Sequence, residues 1–195
     1  MRRGLELRIA PPVAIMLALM LLTDRTGICF VTLLAAFLHE CGHLLAARLL
    51  HIPLGQVRLD FLGAWMEVTG RMLSYGEEWL LCAAGPLTSL VCAAAATPLW
   101  SISTHAQMFS CASLVLGLLN LLPIRTFDGG RMLECMLSHF AGARTVRCVM
   151  RLCSFLFLFL LWAAAVYFLL RAGDGLSLLC FSMSLLFRFF DGEKL

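Results

Sequence analysis

Hydrophobic positions in this chain come in long blocks rather than in one-sided stripes. Six blocks are predicted as membrane spans: Ile9–Leu22, Ile28–Leu50, Glu78–Thr97, His105–Leu122, Val149–Leu170 and Leu176–Phe187. About 20 apolar residues are needed to carry a helix across a bilayer. The first and last blocks fall short of that, so they extend into their flanks or lie partly in the interface. Between the second and third blocks the period changes. Val57, Leu59 and Phe61 alternate with Gln56, Arg58 and Asp60, which is a strand period. Gly63 stands where a turn can fall and Trp65-Met66-Glu67-Val68 can return, so a small β-hairpin at the membrane surface is predicted. A free edge of that hairpin could take an extended peptide by strand addition. The fold class expected is therefore an all-α polytopic membrane protein with one small hairpin, built as a single domain over residues 1–195.

Composition agrees with the blocks. Of 195 residues, 61% are hydrophobic and 14% charged, and the mean hydropathy is +0.90. Soluble domains of this size carry far more charge. The basic stretch before Ile9 resembles a signal peptide, but Thr23-Asp24-Arg25-Thr26 is not a small-residue cleavage site, so a retained first span is expected. With both termini in the cytoplasm, thirteen of the fifteen Lys and Arg fall on the inner side and only Arg25 and Arg171 on the outer. This predicts a multi-pass membrane protein, with the histidine-bearing part of the second span nearer its cytoplasmic end. The net charge of +3 is needed for that topology and gives no support to nucleic-acid binding. Nine cysteines are scattered singly with no C-x-x-C, so no disulfide framework is predicted.

The candidate chemistry lies in the second span. His39-Glu40-Cys41-Gly42-His43 reads H-E-x-x-H, and on a helix His39 and His43 share one face a turn apart. Two imidazoles in that register can bind zinc, with Glu40 beside a metal-bound water as general acid and base. A glutamate inside a membrane span is costly and asks for such a reason. A catalytic zinc usually takes a third protein ligand. The best candidate is Asp128, in the segment Asn120-Leu121-Leu122-Pro123 through Asp128-Gly129-Gly130. Pro123 should break the fourth span, and the two glycines allow a sharp turn and a close approach. Asp128 can alternatively serve as a turn or cap residue before a helix starting near Gly130. Asn120 is a candidate for substrate binding, or simply for a hydrogen bond between helices. Ala84-Gly85-Pro86 marks a second expected break, in the third span, with small residues suited to a tight crossing against the second. His51, His105 and His139 sit near block ends and are given no catalytic role.

With these motifs placed, the chain resembles the site-2 protease family of intramembrane zinc metalloproteases, peptidase family M50. The resemblance rests on the His39–His43 motif, on Gly85-Pro86-Leu87-Thr88-Ser89, and on Asn120-Leu121-Leu122-Pro123 followed by Asp128-Gly129-Gly130. It covers roughly residues 28 to 135 and is nearest to the group of stage IV sporulation protein FB. It implies one Zn2+ per chain on His39, His43 and Asp128, Glu40 as the catalytic acid/base, and Asn120 holding the substrate strand. It also implies a transmembrane or membrane-associated protein substrate, in sporulation or sigma-factor signalling, and a possible membrane regulator. Two features depart from the family. Ser89 stands where an asparagine is common, and the nucleotide-sensing CBS domain of the sporulation enzymes is not expected. A proteolytically inactive membrane-protein-binding homologue and, further off, a metal or solute transporter are the competing readings.

Overall fold

The structure is a computed structural model and describes residues 6–9, 11–60, 63–68, 71–172 and 175–191. It falls into two compact units, residues 1–120 and 121–195.

The first unit contains a three-stranded sheet and four helices. Strands β1 (Glu6–Ile9), β2 (Leu54–Asp60) and β3 (Gly63–Val68) lie in that order. β2 and β3 form the antiparallel hairpin expected from the alternating pattern, with Val57 opposite Met66 and Asp60 opposite Gly63. The register shifts between Leu54 and Gln56, so Gly55 sits at a bulge. Phe61, named above as part of the alternation, lies outside the described residues. β1 was not foreseen: it adds in parallel to β2, Glu6 opposite Gln56.

The helices of this unit are α1 (Pro11–Thr23), α2 (Ile28–Leu49), α3 (Tyr75–Ala96) and α4 (Thr104–Asn120). Asp24 shapes the corner between α1 and α2. Its carboxylate accepts from the Thr26 hydroxyl at 2.8 Å and from the backbone N–H groups of Thr26, Gly27 and Cys29. The Thr26 hydroxyl, and then these amides, hold its pKa down at about 2 against an ordinary 3.8. The depressed value means that the contribution is fully present above pH 3.8 and is lost as the pH falls through about 2. Asp24→Asn is therefore expected to lower the melting temperature by a constant amount at neutral and mildly acidic pH. The gap to wild type should close as the pH approaches 2, which a pH series of thermal melts checks.

At its far end α2 closes with Ile52 N–H donating to Ala47 C=O at 2.8 Å, across His51 in the left-handed region at φ 54°. Ala47, Ile52 and Leu81 form a buried cluster against which Leu54 and Val68 pack, so the hairpin is seated on the ends of α2 and α3. α3 opens with a capping box: Ser74 and Glu77 satisfy each other's backbone N–H, and Arg71 grips Glu77 through two hydrogen bonds of 2.9 and 2.7 Å.

One expectation fails in α3. The predicted break at Ala84-Gly85-Pro86 does not occur, and the helix runs through Pro86. Such a proline is tolerated in an apolar span because surrounding groups and local adjustments satisfy the carbonyl it frees.

The second unit consists of α5 (Asp128–Phe140), α6 (Ala143–Ala172) and α7 (Leu176–Asp191), with α6 packed against both of the others. Among the described residues, three helical stretches are long and apolar enough to cross a membrane: Ile28–Leu49, Tyr75–Leu99 and Ala143–Arg171. They match the second, third and fifth predicted spans. The first, fourth and sixth correspond to α1, α4 and α7, of 13, 17 and 16 residues. At 1.5 Å per residue these reach only about 20 to 26 Å, short of a hydrocarbon core of about 30 Å.

Candidate metal centre

The buried positions of α2 recur at Ala35, His39, His43 and Ala47, one stripe with a spacing of four. The facing stripe on α3 is Leu81, Gly85, Ser89 and Ala93, again four apart and buried. The two stripes meet, and the histidines are the only ionisable side chains in either.

His39 is 4% exposed and His43 is 7% exposed. Each has its Nδ1 atom held by α3. Nδ1 of His43 lies 2.8 Å from the Leu81 carbonyl oxygen. A carbonyl only accepts, so this nitrogen carries the proton, and Nε2 of neutral His43 presents a lone pair. Nδ1 of His39 lies 2.9 Å from the Ser89 hydroxyl; where that hydroxyl accepts, Nε2 of His39 presents a lone pair in the same way. This is the outer support that orients metal-binding imidazoles.

The two Nε2 atoms then stand 3.2 Å apart. Two lone pairs so placed repel unless a metal ion or a shared proton lies between them. Zinc–nitrogen bonds of about 2.0–2.1 Å at the tetrahedral angle put the nitrogens about 3.3 Å apart, so the pair fits a zinc ion.

The space for that ion exists because residue 85 has no side chain. A Cβ there would overlap Nε2 of His43 and lie 2.7 Å from Nε2 of His39. Gly42 makes the matching approach from α2, where a Cβ would overlap the Thr88 hydroxyl and lie 2.7 Å from the Ala84 carbonyl oxygen. From α4, a Cβ added at Gly117 would lie 3.1 Å from Cβ of Ser89. Small residues thus bring α2, α3 and α4 close together at the histidine pair. The crossing anticipated from Gly85 is present, and it is a feature of the site itself.

Glu40 lies half-buried on α2, three residues before His43 and hence on a neighbouring face of the same turn. Asn120 is the last residue of α4, and its amide donates to the Leu116 carbonyl at 3.0 Å. That bond occupies one donor and leaves the side-chain oxygen for other use. His39, Glu40, His43 and Asn120 all belong to the first unit, which brings the two histidines together.

Asp128 opens α5 in the second unit, as its first helical residue after Phe127. The two glycines that follow are buried in the first turn of α5. A Cβ at Gly129 would overlap the Leu121 carbonyl, and one at Gly130 would overlap the Ile124 carbonyl and lie 2.8 Å from the Arg125 nitrogen. Neither glycine has a positive φ. They are needed for close approach, where the chain at 121–125 lies over the start of α5, and not for a sharp turn.

Ser89 was missed as a site residue by sequence reasoning, which gave it only a helix contact. The available signal was its place four residues after Gly85 and eight after Leu81, on the stripe facing the histidines. Ser89→Ala is expected to weaken zinc binding about 10- to 100-fold, the usual cost of removing such an outer partner. Competition with a graded zinc chelator measures it, and Ser89→Thr, which keeps the hydroxyl, should recover part of the loss.

Comparison with known proteins agrees with this geometry. Residues 90–164 match the family model of peptidase family M50. Two proteins named "Putative zinc metalloprotease Rip3", from two strains of Mycobacterium tuberculosis, are 34% identical over 118 residues. That alignment takes in 55% of this chain and 30% of theirs, so the chain spans under a third of the length of these relatives. Among solved structures, the site-2 protease from Methanocaldococcus jannaschii matches with a TM-score of 0.65 at 18% identity, over 96% of this chain and 90% of that one. At that identity the likeness is one of fold. The chain is thus similar to peptidase family M50 over residues 90–164, similar to the mycobacterial proteins over about half its length, and like a site-2 protease in fold.

Proposed function

We propose that this chain is an intramembrane zinc metalloendopeptidase that hydrolyses peptide bonds of transmembrane or membrane-associated proteins. The observation that supports the reading is the histidine pair: two Nε2 atoms 3.2 Å apart, each ring held by a hydrogen bond at its other nitrogen. Asp128 is the third ligand in this reading. The three side chains offer two imidazole nitrogens and one carboxylate oxygen, a donor set that could hold a metal ion and that suits catalytic zinc. The chemistry a bound zinc supplies is Lewis acidity, which polarises a carbonyl and lowers the pKa of a water to about 7.

The protein's own groups do the rest. Glu40 takes a proton from the attacking water on a carboxylate oxygen and delivers it to the leaving amide nitrogen. His39 and His43 are oriented by Ser89 and Leu81. Asn120 holds the substrate strand through its side-chain amide. A helical substrate has its amides already paired and must unwind before it can be cut. The sheet supports that step, because in the order β1-β2-β3 the outer edge of β3 can pair with an extended segment.

The membrane arrangement proposed is six spans with both termini in the cytoplasm and the site toward the cytoplasmic side. The short helices α1, α4 and α7 are accommodated by local thinning of the bilayer. The arginine distribution supports the orientation. A role in sporulation rests on sequence resemblance alone.

The test is zinc content and cleavage together. Purified chain in liposomes with a transmembrane substrate should hold one zinc per chain, lose cleavage to a strong chelator and regain it on zinc addition. Full zinc retention by a His39→Ala/His43→Ala chain would overturn the reading.

A further inference from the structure

The second unit contains a cavity of about 540 Å3 that the peptidase reading does not use. Its rim carries Arg125, Arg147, Arg151 and Arg188, with Glu134 as the one acidic side chain among the lining residues. Its floor is different: Met150, Leu158 and Leu185 close it from below, and the half-buried Phe189 presents apolar surface beside them. The helix period produces this division. On α6, Arg147, Met150, Arg151, Ser154 and Leu158 recur three, four, seven and eleven positions after the first, so one face passes from guanidinium to hydrocarbon within about three turns. On α7, Leu185, Arg188 and Phe189 repeat the pattern. Arg125 and Glu134 approach no closer than 4.0 Å, too far for a tight pair, and both side chains are exposed.

We propose that this cavity binds an anionic phospholipid, phosphate at the arginine rim and the upper part of one acyl chain on the floor. Guanidinium groups match phosphate oxygens in bidentate geometry, and four of them line this cavity. A free phosphate would have no use for the hydrocarbon floor. Placement favours the lipid as well. α6 belongs to a stretch long and apolar enough to cross a membrane, and residues 152–170 carry no charge. Arg151 thus stands where the helix passes from water to hydrocarbon, at headgroup depth, and basic pockets at that depth recognise anionic headgroups. This rests on the membrane-spanning reading of α6 and not on peptidase activity.

Occupancy bears on the segment that precedes Asp128. Ile124, Arg125 and Thr126 line the cavity, and the Arg125 backbone N–H donates to the Ser154 hydroxyl at 3.0 Å. A phosphate drawn to the Arg125 side chain holds the same segment from its other side, and so steadies the start of α5.

The experiment is lipid binding to the full chain in detergent, read by native mass spectrometry, with no substrate present. Palmitoyl-oleoyl phosphatidylglycerol should bind one per chain. Phosphatidylcholine with the same acyl chains should bind at least about tenfold more weakly, and millimolar inorganic phosphate should not displace the phosphatidylglycerol. Each arginine removed should weaken binding about fivefold, so Arg147→Gln/Arg188→Gln should weaken it by about 25-fold. If that double variant does not fold, Arg147→Gln alone carries the test, since Arg147 is exposed. Equal binding of phosphatidylcholine, displacement by inorganic phosphate, or unchanged phosphatidylglycerol binding by the variants would each overturn the proposal.

Discussion

Gly85→Ala is expected to cost the chain its zinc. The added methyl would overlap Nε2 of His43 and approach Nε2 of His39 to 2.7 Å, where the lone pairs converge. Three relaxations are open, and each damages the site. Rotating the His43 ring breaks its bond to the Leu81 carbonyl, and rotating His39 breaks its bond to Ser89. Moving α3 away from α2 opens the contact of Gly42 with Thr88 and Ala84 along the same crossing. Losing one outer hydrogen bond alone weakens a metal site about 10- to 100-fold. The methyl also occupies space the ion needs, so the loss should exceed that range. Overpacking should destabilise the helix pair by about 1–3 kcal/mol. Metal analysis of the purified variant, beside a thermal melt, checks both. Gly76→Ala is the matched control on the same helix, because a Cβ there meets nothing within 4 Å. It should keep its zinc and melt no lower than wild type. A Gly85→Ala chain with a full zinc complement would mean that the ion is not held on the Nε2 side of these rings.

The same residue shows how far the sequence could be read. H-E-x-x-H is local, since its spacing alone puts His39 and His43 on one face of a helix. The hairpin was legible for the same reason, its alternation lying within a few residues. What surrounds the histidines was not local. Leu81, Gly85 and Ser89 face them from 38 to 50 positions away, and no period in α2 announces which α3 residues it will meet. Gly85-Pro86 read as a break because proline removes a donor, yet the helix continues, and its glycine matters for what it leaves empty. β1 was invisible because four residues are too few to carry a pattern and its partner strand begins 45 residues later. Hydropathy placed the starts of α2 at Ile28 and of α7 at Leu176 correctly, and missed where the helix continues beyond the apolar block. α6 begins at Ala143, six residues before its apolar block, because backbone hydrogen bonding continues past the membrane surface. α3 begins at Tyr75, where the Ser74-x-x-Glu77 capping signature was present in the sequence and marks the start better than hydropathy does.

Glu40→Gln is expected to separate binding from chemistry. Glutamine has nearly the same volume and keeps one oxygen acceptor, so the packing of α2 should persist. His39 and His43 keep their bonds to Ser89 and Leu81, and zinc content should stay at one per chain. What the amide cannot do is take a proton at neutral pH. If Glu40 is the group that moves the proton from water to the leaving amine, cleavage should fall by at least about 10²- to 10⁴-fold, the usual worth of a positioned acid/base. Cleavage of a reconstituted transmembrane substrate, normalised to bound zinc, measures this. Cleavage of the variant at near wild-type rates with zinc in place would remove Glu40 from the mechanism. Loss of zinc together with activity would instead give Glu40 a role in holding the site. The two outcomes differ because Ser89 and Leu81 hold the rings, while Glu40 sits on a neighbouring face of the turn. A membrane helix that keeps a carboxylate at that position bears a desolvation cost that metal binding by two histidines alone does not require. Proton transfer does require it.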